Sequence, residues 1–160
     1  MGLPEIFISF QTAAVSAITR SARGVLAVAV KDATAGGAAE AAYKSLAEVP
    51  EDKFSPENYR LLKLAFLAAP TKVWVLRVGE DAEKTYQALE RLHFDWLAAP
   101  GLDDARVMSF IKTLRNGGRG VKAVVANATA PDCEGIVNLC VSGLTLEDGA
   151  MEAKDYAVRV

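Results

Sequence analysis

GVLAVAV, residues 24–30, is the longest unbroken apolar run in the chain. It is rich in valine and has no polar side. That is how a strand reads when helices cover both faces of its sheet. KVWVLRV, residues 72–78, reads as a second strand. Ser55 and Pro56 lie between them and open a helix as N-cap and first-turn proline. That helix carries Tyr59, Leu62 and Phe66 and ends before Pro70. Gly79 to Asp81 turns the chain into another helix, with Tyr86, Leu89 and His93 expected on one side.

The same alternation continues downstream. FDWLAAPG, residues 94–101, reads as a short strand ending in a turn. Asp103 can cap the next helix, whose Val107, Phe110, Ile111 and Leu114 form one apolar stripe. NGGRG, residues 116–120, stops it. VKAVVANAT (121–129) and GIVNLCV (135–141) are further strands. Strands alternating with helices predict an α/β fold: a mostly parallel sheet with helices on its faces and right-handed crossovers. DATAGGAAEAAY, residues 32–43, is expected to be a loop or weak helix.

The two ends read differently. Residues 5–11 alternate as an N-terminal extended strand, with Ile6, Ile8 and Phe10 on one face and Phe7 opposing them. LTLEDGAMEA, residues 144–153, predicts a C-terminal hairpin with Asp148-Gly149 as its turn signal. Residues 153–160 begin an unfinished helix. The expected organisation is an N-terminal strand and polar connector over 1–23, then an α/β core domain over 24–160 that is truncated at its C-terminal end.

Composition narrows the class. The 160 residues are 51% hydrophobic and 24% charged, which suits one soluble globular domain. The net charge of −2 supplies no broad basic field for nucleic acid. The beginning of the chain has no basic region of a secretory signal, and no apolar run is long enough to span a bilayer. Cys133 and Cys140 are not a CxxC pair, and one histidine cannot complete a Cys/His zinc set. They read as reduced thiols, although their spacing is compatible with a disulfide.

Ligands of open α/β sheets gather beyond the carboxyl ends of the strands. Asp32, Glu80, Asp81, Asp103, Asp104, Asp132 and Glu134 fall at those predicted ends. Converging carboxylates there would suit Mg²⁺ and phosphoryl transfer. The plainer alternative makes Asp81 and Asp103 helix caps and the others solvated loop residues. Gly36-Gly37 and Gly117-Gly118 match no phosphate-loop spacing. His93 is the only base of its kind, GxSxG is absent, and Ser142-Gly143 lacks the strand-to-helix context of a nucleophile elbow. The arginines are dispersed. Trp74 and Trp96, in neighbouring predicted strands, read as core or interface anchors rather than a base-stacking platform.

Six segments together carry a family resemblance: GLPEIFISFQTAAVSAITRSARGVLAVAVKD (2–32), YKSLAEV (43–49), SPENYRLLKLAFLAAPTKVWVLRV (55–78), FDWLAAPG (94–101), KAVVANATAPDCEGIVNL (122–139) and AKDYAVRV (153–160). In this order they resemble the contractile-tail sheath proteins of bacteriophages, prophage elements and R-type bacteriocins. The resemblance implies a structural, non-catalytic subunit without cofactor. Its partners would be other sheath subunits and an inner tail tube protein, with no nucleic acid and no membrane insertion. Its place would be the tail sheath of a virion or phage-like particle, after assembly in the bacterial cytoplasm. It also implies joining through strand-exchanging terminal arms, which makes Ile6, Ile8 and Phe10 the candidate interface residues. The family normally continues beyond a segment like AKDYAVRV, hence the expectation of truncation. A Mg²⁺-dependent phosphotransfer enzyme and a small-ligand-binding α/β module are the alternatives.

Overall fold

The structure is a computed structural model, and it describes residues 24–126, 133–139, 145–146, 149–150 and 158. The central element is β1 (Val25–Val30). It is followed by β2 (Glu40–Tyr43), two 3₁₀ turns (Leu46–Glu48 and Glu51–Lys53), α1 (Pro56–Leu67) and β3 (Lys72–Arg77). Then come α2 (Ala82–Arg91), β4 (Trp96–Ala98), α3 (Asp104–Asn116), β5 (Lys122–Val125) and β6 (Ile136–Asn138). A separate small hairpin pairs β7 (Thr145–Leu146) with β8 (Gly149–Ala150).

The large sheet has the order β2-β3-β1-β4-β5-β6. β1 pairs in parallel with β3 on one side, Ala27 opposite Trp74, and with β4 on the other, Leu26 opposite Trp96. β4, β5 and β6 continue in parallel, and only β2 runs antiparallel, against β3. The mostly parallel α/β expectation therefore holds. After β3 the chain crosses back past β1 to reach β4, so the strand order reverses beside β1.

Both faces of β1 are buried, as its sequence requires. Val25, Ala27 and Ala29 pack with Leu76, Leu97 and Ala123 under α2 and α3, which contribute Tyr86, Leu89, Val107, Met108, Ile111 and Leu114. Val28 and Val30 pack on the other face with Val73, Val75 and Ala98 under Leu61, Leu62 and Ala65 of α1. Val158, at a helical position, is buried in that second cluster.

The caps are those the sequence predicts. Ser55 Oγ accepts from Asn58 N at 3.3 Å with Pro56 opening α1. Asp81 accepts from Glu83 N and Asp103 from Arg106 N, each at 3.0 Å.

Three expectations are corrected. EAAY, residues 40–43, is a strand and not loop or helix. Its alanines favour helix, but pairing along the edge of β3 overrides that preference. His93 lies beyond α2, because the chain becomes extended at Leu92 and carries Phe94 into the core at 1% exposure. Gly149 belongs to β8, opposite Leu146, so it does not form the centre of the hairpin turn. The strand expected over residues 5–11 lies outside the described residues, as does the final helix apart from Val158.

Candidate functional site

At the carboxyl ends of β1, β3 and β4 lies a cleft of ≈ 740 Å³, bordered by Lys31, Glu80, Tyr86, Gly101, Asp103 and Arg106. It sits where the strand order reverses, the usual ligand crevice of this architecture. Gly101 lets its walls close: a Cβ there would stand 2.7 Å from Lys31 N. Gly101 N instead donates to Ala29 O at 3.0 Å.

Asp32, Glu80 and Asp103 all line this cleft, but their carboxylates do not come together as a cation site. Asp32 turns inward, with its side chain wholly enclosed at 0% exposure. It accepts from Thr34 N (2.8 Å), Ser55 N (2.9 Å) and Asn58 Nδ2 (2.8 Å). Burial pushes its carboxyl up. The hydrogen bonds from Thr34, Asn58 and Ser55 outweigh burial and hold it well below the usual carboxylate range. Asp81 and Asp103 are the caps already described. Asp104 accepts from Ala126 N; burial, with the neighbouring Asp103 charge, pushes its carboxyl up. Glu134 pairs with Arg115, and Glu80 is exposed. Asp132 lies outside the described residues. Among the described residues no group of three His, Cys, Asp or Glu could hold a metal ion.

Arg106, on the cleft wall, pairs with Glu83 and lies 5.1 Å from the centre of the Tyr86 ring. Burial pushes the Tyr86 phenol up, against the pull of the Arg106 charge. The Tyr86 hydroxyl is itself enclosed, with no partner among the described residues.

His93 is exposed on the rim of a second cleft, of ≈ 610 Å³, at the opposite, amino-terminal end of the strands. It is thus separated by the length of the sheet from the acidic loops. Cys133 is a half-buried free thiol, and Cys140 lies outside the described residues. Trp74 and Trp96 flank β1 rather than each other, and face opposite ways. Trp74, in register with Ala27, packs on the α2–α3 side, while Trp96, in register with Leu26, faces the α1 side. Each has a lysine over its ring, Lys72 at 4.4 Å and Lys122 at 5.0 Å. They form no joint stacking platform.

The polar residues that organise this fold are mostly ones the sequence reading passed over. Asp95 fixes the start of β1 by accepting from Gly24 N (2.8 Å) and Val25 N (3.0 Å). Arg119 closes the end of α2 by donating to Glu90 O (2.8 Å) and Leu92 O (2.6 Å). Arg77 donates to Thr34 O (2.9 Å) and to Lys53 O, and stands 3.7 Å from Asp32. Only Asp32-Ala33-Thr34 carried a local signal, the Asx-type turn in which an aspartate caps the amide two residues on. These groups are structural ties, and no nucleophile–base pair is assembled among the described residues. Ile6, Ile8 and Phe10 lie outside them. No described helix is long and apolar enough to cross a membrane.

No protein-family model matches the chain. A tail sheath protein of Clostridium phage phiCD119 is 30% identical over 176 aligned positions, which cover 99% of this chain and 47% of that relative. This chain thus spans about half the length of the curated relative it matches. Two solved structures share the fold. The sheath tail protein of Desulfitobacterium hafniense superposes with a TM-score of 0.70 at 13% identity, over 97% of this chain and 60% of that one. The sheath tail protein of Listeria innocua gives 0.68 at 16% identity, over 86% of this chain and 55% of that one. In sequence and in fold, the chain is similar to tail sheath proteins.

Proposed function

We propose that this chain is the N-terminal α/β portion of a contractile-tail sheath subunit, with a structural and mechanical role and no catalysis. The observation that carries the reading is the 30% identity to a phage tail sheath protein across 99% of the chain. The shared fold and the structural use of the buried polar residues support it. A sheath is a helical array, which arises when one subunit's surface meets a different surface of the next and the repeat does not close into a ring. Contraction is then a rearrangement of rigid subunits at their interfaces. Burial on both faces of β1, and ties at both its ends, give such a rigid body.

The partners in this reading are further sheath subunits and an inner tube protein, and the particle is a phage tail or phage-like injection device assembled in the bacterial cytoplasm. Residues 1–23 serve as an arm and connector, and 24–160 as core. The test is a chimera in which this chain replaces the matching part of the Clostridium phage relative. Electron microscopy should show hollow striated cylinders. A folded chimera that stays dispersed under conditions where the relative polymerises would overturn the proposal.

A further inference from the structure

Between Ala33 and Phe54 the chain leaves the body of the fold, forms β2 and two 3₁₀ turns, and returns to α1. This excursion is thinly attached. Between Ala33 and Lys53 only Val49 is buried, with Phe54 at the return, while Tyr43 and Leu46 pack partly against the α1-side core. β2 covers four of the six residues of β3 and makes the excursion's only ladder.

Both ends of the excursion are held by the same two side chains. Asp32 accepts from Thr34 N at the departure and from Ser55 N at the return. Arg77, at the end of β3, donates to Thr34 O at the departure and to Lys53 O at the return. Its guanidinium is 4.5 Å from the centre of the Phe54 ring, its side chain is 9% exposed, and its Nε is enclosed without a partner among the described residues. Gly37 leaves room for it: a Cβ there would stand 1.8 Å from Arg77 Nη2. Arg77 is therefore a clasp whose space is shared with the segment it closes.

We infer that residues 33–54 open and close as one unit, released when the Asp32–Arg77 clasp parts, while β1, β4 and their helices stay folded. Few buried side chains and an exposed edge ladder are the physical marks of a region that unfolds below the global free energy. Opening bares the outer edge of β3. A closed loop re-forms readily once its two ends meet, so a clasp that joins both ends controls the whole excursion.

Hydrogen exchange by mass spectrometry on the 160-residue chain tests this. In the wild type, amides of β2 and both 3₁₀ turns should exchange at least about 10-fold faster than those of β1 and β4. Their rates should depend weakly on added urea, because a small unit exposes little surface. Arg77→Met and Gly37→Ala break the clasp from its two sides. Each should speed exchange in 33–54 by a further ~10-fold or more while its weak urea dependence persists; amides of β1 and β4 speed by no more than that factor and keep the steep urea dependence of global unfolding. Exchange of 33–54 together with β1, at one rate and one urea dependence, overturns the inference. So does exchange of 33–54 in both variants that is no faster than in the wild type. Should either variant fail to fold, the wild-type urea series decides alone.

Discussion

Asp32 is open in the sequence to two readings, a metal-binding carboxylate or a solvated loop residue, and its wholly enclosed side chain is neither. Its position at the end of β1 is where a catalytic carboxylate would stand, yet its oxygens are filled by amides from its own loop and from α1. In the folded protein it stays ionised to lower pH than in the unfolded chain, whose Asp32 takes up a proton near the ordinary value of 3.8. Its contribution to stability is therefore complete above that value and is lost progressively as pH falls below it. Asp32→Asn should cost about 3 kcal/mol at neutral pH, since it leaves the Arg77 charge uncompensated. Urea denaturation at pH 7 and at pH 3 should show the gap between variant and wild type narrowing in acid. An unchanged gap would remove the charge from the explanation. Asp104 has the opposite sign. Burial raises its pKa, so its protonated form is favoured by folding and that contribution is lost as pH rises through the shifted value. Asp104→Asn keeps an acceptor for Ala126 N. It should gain stability relative to wild type at pH 7 and lose that gain at pH 3, by the same measurement.

At the scale of elements, the sequence is most legible where one local rule acts alone. Ser55-Pro56 and Asp103 mark helix starts because capping is settled within four residues. Asp103→Ala should accordingly cost about 1 kcal/mol in urea denaturation, the usual worth of a cap. A loss several times larger would mean that Asp103 ties more than its own helix. GVLAVAV and KVWVLRV are legible because burial on both faces leaves no polar position. β2 is not, because EAAY carries no strand signal of its own and gains one only from the edge of β3, distant in sequence. The same holds for Arg77, Asp95 and Arg119. Each looks like an ordinary charge in the sequence, and its role comes from carbonyls or amides that folding brings beside it. The acids at the carboxyl ends of the strands are a related case, with Asp81 and Asp103 the caps that the plainer reading expects. They share one end of the sheet, as the topology requires, but each carboxylate with a described partner already has a local or structural one.

For the whole molecule, the proposed arm, residues 1–11, and the core, 24–160, make different demands on the same strand pattern. A strand carrying Ile6, Ile8 and Phe10 buries apolar surface wherever it pairs, and strand addition to a neighbour's sheet edge would use backbone bonds for affinity and these alternate side chains for register. Pairing within its own subunit and pairing with the next subunit predict different effects of deletion. Loss of an intramolecular strand should lower the stability of the isolated chain by several kcal/mol, the worth of two or three buried apolar side chains. Loss of an intermolecular arm should leave thermal melting of the isolated chain nearly unchanged and abolish assembly of the chimera with the Clostridium phage relative. We expect the second pattern. The core already closes around β1 with both faces covered, and Asp95 holds the first residues of β1 in place. Deletion of residues 1–11 is therefore expected to give a chain that melts within a few degrees of wild type and a chimera that forms no cylinders. A truncated chain that unfolds would return the strand to its own sheet. A truncated chimera that still forms striated cylinders would show that Ile6, Ile8 and Phe10 are not what holds one subunit to the next.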